Sequence, residues 1–203
     1  MNRKLFGRVC FLLLALSSLP FLAACSEKIA GDPRKTMVEY INAVQKSDFQ
    51  TMYNLHRHTA RQKKFLSKLE TGDVNQILAD NFKKNLAEFK KVTPSFFQGI
   101  RWQEKYFFPP SAKVEIGQPQ NLKEKSAKDN VEIGLTVVFE VGVEYPKKEE
   151  APEYNGQKLK TAMYRCSLSK IREEGSLMIY TTDVNWFLEG CSLDASSPKL
   201  TTQ

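Results

Sequence analysis

The spacing of apolar residues changes once along this chain, from a helical period to a strand period, and that change limits the folds open to it. Before residue 93, apolar residues recur every three or four positions, as Met37, Ile41 and Val44 do. After Thr93 and Pro94 they alternate with polar residues, which is the period of a strand with one buried face. Helices followed by half-buried strands predict an α+β fold, with N-terminal helices packed on an antiparallel sheet.

Helix starts are marked by side chains that can satisfy the free amides of a first turn. Asp32 and Asp73 each stand directly before a helical apolar pattern, so both are expected to cap helices. Ser47 and Gln50 have the spacing of a capping box, which predicts that another helix begins at Ser47. A basic helical stretch is expected over residues 59–69.

Five strands are predicted after the helices. The clearest is residues 131–145, where Val137, Phe139 and Val141 share one face and Glu140 lies on the other. The other four strands are expected at residues 95–107, 112–122, 158–172 and 177–188, with turn-forming residues between them.

The N-terminus combines three features within 25 residues. Three basic residues precede a largely apolar run over residues 9–22, and Leu22-Ala23-Ala24 stands directly before Cys25. This order resembles the signal peptide and lipobox of bacterial lipoproteins. The resemblance implies that residues 1–24 are removed and that Cys25 becomes lipidated. The apolar run is too short for a permanent membrane span. A buried cysteine that ends an ordinary signal is the alternative.

The same resemblance predicts location and domain organisation. We expect a lipid-anchored protein of the cell envelope, and Ser26 points to the outer membrane, facing the periplasm, if the source is Gram-negative. Residues 25–32 would then be the lipidated cysteine and a tether, residues 33–191 one α+β domain, and residues 192–203 a loose polar tail.

The charge of the mature chain is modest. The sequence has 30 basic and 23 acidic residues, and removal of Arg3, Lys4 and Arg8 with the signal leaves 27 against 23, or a net +4. Such a small excess in an exported protein argues against a nucleic-acid partner. Anionic lipid headgroups are the expected electrostatic neighbour, reached through the lipid anchor.

Residues 40–49, Tyr-Ile-Asn-Ala-Val-Gln-Lys-Ser-Asp-Phe, resemble the turn between the first two helices of the nuclear transport factor 2-like superfamily. The order of elements agrees over residues 33–188. The resemblance implies a cone in which a curved antiparallel sheet wraps the helices around a central pocket. It also implies that the open sheet face is a candidate surface for a homodimer.

Tyr40 is the first candidate residue of that pocket. In ketosteroid isomerase, a member of the superfamily, a tyrosine eight residues before the turn aspartate donates a hydrogen bond to the developing oxyanion. Tyr40 matches this position, since it lies eight residues before Asp48. The carboxylate base of that enzyme follows about 24 residues after the tyrosine, where this chain has Lys64. A core phenol is the alternative role for Tyr40.

Asp183, Asn185 and Trp186 are further pocket candidates in the last predicted strand. Asp183 and Asn185 alternate onto one apolar face, as a pocket would require. The face that carries Trp186 is equally apolar, so the sequence leaves open which side is buried. His56 and His58 are expected to be solvated residues at a helix end, because residues two apart on a helix point in different directions.

Cys166 and Cys191 are a candidate disulfide pair. Export favours their pairing. A tight turn at residues 173–175 would, however, set Cys166 opposite about residue 182, with Cys191 roughly 30 Å further along an extended strand. The bond therefore requires the chain to double back around Gly190, and two unpaired thiols are the alternative.

No spacing typical of a catalytic triad, a phosphate-binding loop or a metal site is found, and no catalytic residue, metal or cofactor is expected. The first hypothesis is a non-catalytic binding or interaction module whose pocket or sheet face takes a small apolar ligand or an envelope protein. The alternatives are a ketosteroid isomerase-like pocket enzyme that uses Tyr40, and a structural component of an envelope complex.

Overall fold

A computed structural model describes residues 32–67, 73–92, 101–125, 134–172 and 184–203 of the protein. The helices are α1 (Pro33–Gln45), α2 (Phe49–Leu55), α3 (Arg57–Ser67), α4 (Val74–Lys91) and α5 (Glu104–Phe107). The strands are β1 (Lys113–Lys125), β2 (Gly134–Glu144), β3 (Glu153–Tyr154), β4 (Gln157–Arg172), β5 (Val184–Leu193) and β6 (Thr201–Thr202). Within these ranges no helix is both long enough and apolar enough to cross a membrane.

The strands form one antiparallel sheet built around β4. One side of this 16-residue strand pairs with β2, which pairs in turn with β1. Its other side pairs with β5, β6 and β3 along successive parts of its length. Helices followed by an antiparallel sheet confirm the predicted α+β class.

The alternation predicted for the longest strand separates a buried face from an outer face. Val137, Phe139, Val141 and Val143 of β2 are all buried, and we call their side of the sheet the inner face. The helices cover it, and Met37 and Tyr40 of α1 belong to the same core. The opposite side of β2, from Thr136 to Glu144 at every second residue, is the outer face.

Two helix caps are as predicted and one is displaced. Asp32 accepts a hydrogen bond from the Arg34 amide, and Asp73 accepts one from the Gln76 amide. The predicted cap at Ser47 is wrong, because Asp48 caps α2 and Ser47 adopts a positive φ of 53° in the turn before it. The Asp48 carboxylate, one residue further along the chain, accepts a hydrogen bond from the Thr51 amide in the first turn of α2.

Two segment predictions differ from the structure. The strand expected at residues 95–107 is wrong in its described part, where a turn leads into the short helix α5. Residues 192–203, expected to be a loose tail, include the end of β5 and the strand β6, which pairs with Leu159 and Thr161 of β4. The domain therefore continues past residue 191.

The pairing of β4 with β5 resolves the cysteine question. Cys166 lies directly opposite Cys191, and their sulfur atoms form a disulfide bond with the Cα atoms 4.1 Å apart. The predicted register, with Cys166 opposite residue 182, is wrong. Arg172 pairs with Val184, and in this register β5 itself carries Cys191 to the position opposite Cys166.

Side chains from α1 bond three backbone carbonyls at the beginning of the β1 edge. Arg34 donates two hydrogen bonds of 2.9 Å, one to the Ile116 carbonyl and one to the Gly117 carbonyl. Gln45 donates one of 2.8 Å to the carbonyl of Ala112, just before the strand. These bonds satisfy backbone acceptors that an edge strand would otherwise offer to another chain.

Loss of the disulfide is expected to lower the free energy of unfolding. The bond joins residues 25 positions apart, and closure of such a loop contributes about 3.5 kcal/mol in the chain-entropy description. Urea titration of the double variant Cys166→Ala/Cys191→Ala should show a loss of that order. A reductant should weaken the wild type but leave the variant unchanged; a loss below about 1 kcal/mol would contradict this role.

Candidate functional site

Tyr40 lies in the packed interior rather than on the wall of an open cavity. It is on the inner side of α1 with a side chain 0 % exposed. Its hydroxyl has no hydrogen-bond partner in the described part of the chain. A buried hydroxyl without a partner costs free energy, so its neighbours are of interest.

Glu104, the first residue of α5, is the acidic neighbour of Tyr40. Its side chain is only 3 % exposed. One carboxyl oxygen, Oε1, accepts a 3.3 Å hydrogen bond from the Cys191 amide, while Oε2 has no partner among the described residues. The interior therefore holds a phenol and a carboxyl group that each keep an unpaired oxygen.

Burial shifts both groups toward their neutral forms. Removal from water raises the pKa of Glu104, because the charged carboxylate is poorly solvated in the core. Removal from water also raises the pKa of Tyr40, and the negative charge of Glu104 adds to that effect. Two neutral hydroxyl-bearing groups can donate hydrogen bonds to an oxygen placed between them.

Gln103 and Glu104, at the start of α5, both bond the β5 edge of the sheet. Besides the bond from the Cys191 amide to Glu104, Gln103 Nε2 donates a 3.0 Å hydrogen bond to the Cys191 carbonyl. Further along this edge, His56 forms a parallel bridge with Leu188. Two side chains and one backbone bridge thus occupy positions, at Cys191 and Leu188, where a neighbouring strand would pair.

The predicted pocket is only partly assembled. Tyr40 and Trp186 belong to the same core cluster, and Trp186 is buried. Asn185 occupies the register position opposite Ile171 of β4, and Asp183 lies outside the described residues.

The residue that sequence reasoning missed is Glu104, because residues 95–107 were interpreted as a strand. Helical spacing of Trp102, Tyr106 and the following aromatic residues was the available signal.

His56 is not the solvated residue that was expected. Its ring lies 5.2 Å from that of Trp102. Burial is the main cause that lowers the pKa of His56, and together with the nearby His58 and Arg101 charges it brings this pKa to about 4. In the described part of the chain no three His, Cys, Asp or Glu side chains come together as metal ligands would.

The outer face carries an open groove centred on Gly142, which we call the Gly142 groove. Its volume is about 390 Å³, which is within the size range of ligand sites. Gly142 pairs with Glu115 on one side and Met163 on the other. A Cβ at Gly142 would come no closer than 3.9 Å to a neighbouring atom, so the missing side chain leaves space in the floor.

Charged residues and the C-terminal segment form the walls of the Gly142 groove. Lys113 Nζ and Glu144 Oε1 are 3.1 Å apart at the rim. Thr161 donates a hydrogen bond to the Lys199 carbonyl, and its Oγ1 lies 2.7 Å from that of Thr201. Residues 192–203, which were expected to be loose, therefore provide the wall of the groove that contains Lys199.

A second groove, of about 290 Å³, lies between α1 and β1. Val38, Ile41 and Ile116 give it apolar walls. Its main polar side chains, Arg34 and Gln45, already bond the backbone of the β1 edge. The Gly142 groove therefore has the polar groups that are better placed to meet a partner.

No protein-family model matches this chain, and no curated protein or solved structure matches it either. The proposals that follow therefore depend on residues, geometry and charge.

Replacement of Glu104 by glutamine should change how stability depends on pH. Because the folded protein holds the Glu104 proton more tightly than the unfolded chain does, wild-type stability falls as pH rises above the ordinary glutamate range. Glu104→Gln removes this loss. Its stability advantage over wild type should increase from pH 4.5 to pH 8, by about 1.4 kcal/mol for each unit of raised pKa.

Urea unfolding at the two pH values measures this difference. His56 titrates in both proteins, so its contribution cancels in the comparison. Glu153→Gln, on the exposed strand β3, is the matched control and should give the same difference at both pH values. An advantage of Glu104→Gln that stays constant or shrinks toward pH 8 would show that the carboxyl is not held neutral by burial.

Proposed function

We propose that this protein is a lipid-anchored module of the cell envelope that binds a partner without catalysis, through the Gly142 groove. The observation that carries the proposal is the contrast between interior and surface. Tyr40 is fully buried and Glu104 nearly so, whereas the Gly142 groove is open and lined by charged, polar and apolar groups. A partner can reach the groove without any rearrangement of the core.

A segment of an envelope protein is the occupant that the groove favours. Lys113 and Lys199 supply positive charge, and Glu115 and Glu144 supply negative charge, around an apolar floor. Mixed charges can pair with a polypeptide that carries both signs, whereas a small apolar ligand would leave them unused. A second copy of this chain, as in a homodimer through the open sheet face, would use the same surface.

The finer fold assignment is part of this proposal. We propose the nuclear transport factor 2-like cone suggested by residues 40–49. Helices precede a long antiparallel sheet, and the pairing has irregularities between Ile116 and Pro119 of β1 and between Ser167 and Leu168 of β4. Such irregularities bend strands, which supports a curved sheet.

An enzyme is the second candidate, and one observation favours it. Tyr40 and Glu104 are buried together, each with an unpaired oxygen and a raised pKa, and such pairs are found in active sites. A reaction of the ketosteroid isomerase type would require the packing around the buried Tyr40 and Glu104 to open so that substrate could enter. This requirement makes binding at the surface the preferred proposal, and a structural role in an envelope complex would use that surface too.

The variant Gly142→Val tests the groove. Valine favours strands and would fill the floor with ordinary contacts, so the fold should be retained. Intact protein should be cross-linked through its lysines in membranes of its own host. The wild type should give one dominant cross-linked product, and Gly142→Val should reduce it at least tenfold. Gln120→Val, on the outer face beyond the groove, is the matched control and should behave as wild type.

The denatured mass of the same purified chain tests the anchor. Acyl chains on Cys25, together with loss of residues 1–24, are the expected result. An unmodified Cys25 would overturn the anchor, and equal cross-linking of all three proteins would overturn the groove.

A further inference from the structure

The hairpin between β3 and β4 turns at a single dipeptide, Asn155-Gly156. Tyr154 and Gln157 pair across it, so the loop has two residues. Asn155 has a φ of 51° and Gly156 a φ of 76°. Two central residues with positive φ are typical of the type I′ turn, which favours Asn-Gly. Asn155 is also the only asparagine in the sequence that is followed by glycine.

The tip of this hairpin is open to water. Asn155 and Gly156 are both exposed. A Cβ placed on Gly156 would have no heavy atom within 4 Å among the described residues, its chain neighbours aside. Glycine carries no side chain that would hinder an approach to its own backbone nitrogen. The side chain of Asn155 therefore has room to reach the nitrogen of the residue that follows it.

The residues below the tip are held more firmly. Tyr154 packs against the core cluster. The Leu159 amide donates a 3.0 Å hydrogen bond to the Pro152 carbonyl, and Lys158 Nζ donates one of 3.0 Å to the Ala151 carbonyl. The strand β3 has only two residues, and so short a strand end opens locally at a small cost in free energy. Opening is thus confined to the tip while the rest of the domain stays folded.

We propose that Asn155 is a deamidation site, at which the side-chain amide becomes a carboxylate with water as the only co-reactant. The backbone nitrogen of Gly156 gives its proton to hydroxide, and its electron pair forms a bond to Asn155 Cγ. The bond from Cγ to the side-chain nitrogen then breaks, and this nitrogen leaves as ammonia with a proton from water. Water opens the resulting five-membered imide at either carbonyl, which gives aspartate or isoaspartate.

The two products change the hairpin differently. Aspartate keeps the backbone and tolerates the left-handed conformation, so the turn is retained. Isoaspartate carries the main chain through the former side chain and adds one CH2 to the loop, so the pair of Tyr154 with Gln157 cannot be kept. Either product places one more negative charge at the tip. Because no enzyme is required, the modified fraction rises with the age of the molecule, whatever its anchor or partner.

Incubation of the intact, folded protein tests the proposal. Purified wild type is kept at physiological temperature at pH 7 and pH 9, and its peptides, produced at acidic pH, are separated and weighed. The peptide with Asn155 should gain the mass of an exchange of NH2 for OH and separate into two forms. The reaction should be at least tenfold faster at pH 9. The folded chain should react at no less than a tenth of its rate in guanidinium chloride.

Two controls make the result specific. Asn75 is as exposed as Asn155, but it lies in α4 and is followed by Gln76, so its peptide should keep its mass. The variant Asn155→Gln should also keep its mass, because the corresponding six-membered ring closes far more slowly. A mass gain in guanidinium chloride alone would show that the turn protects Asn155 and would overturn the proposal. An equal gain at Asn75 would overturn the assignment to the hairpin tip.

Discussion

The structure depends on hydrogen bonds from side chains at the helices to the backbone of both edge strands of the sheet. Arg34 of α1 bonds the backbone of β1, and Gln103 and Glu104 bond both backbone groups of Cys191 in β5. Exposed edges would offer unpaired donors and acceptors to other chains. The bonds here occupy some of these groups and tie the helices to the sheet, with the core between them.

The bonds at the β5 edge help to explain why the proposed binding site lies on the surface and not in the interior. The Glu104 carboxyl accepts a hydrogen bond from the Cys191 amide while it is buried in the core near Tyr40. The interior is thereby occupied by groups that hold the fold together. The surface that is open to a partner and lined by charged and apolar groups is the Gly142 groove on the outer face, and a lipid anchor would bring it close to the envelope membrane.

Local signals in the sequence were sufficient for much of the fold. The caps at Asp32 and Asp73 and the alternation along β2 depend on near neighbours, and they agree with the structure. The position of Glu104 and the partner of Cys166 depend on contacts between residues 25 to 87 positions apart, which no local period encodes. A dense aromatic run at residues 102–108 suits a strand and a buried short helix equally, so Glu104 was missed.

We propose that the outer face is covered in the envelope while the core stays closed. Lysine acylation of intact protein, in host membranes and after purification, tests this most directly. Lys113 and Lys199 line the Gly142 groove, and Lys148 is exposed outside it. Labelling of the two groove lysines should be at least fivefold slower in membranes, with Lys148 unchanged. If each of the three lysines is labelled at the same rate in membranes as after purification, the outer face is not covered.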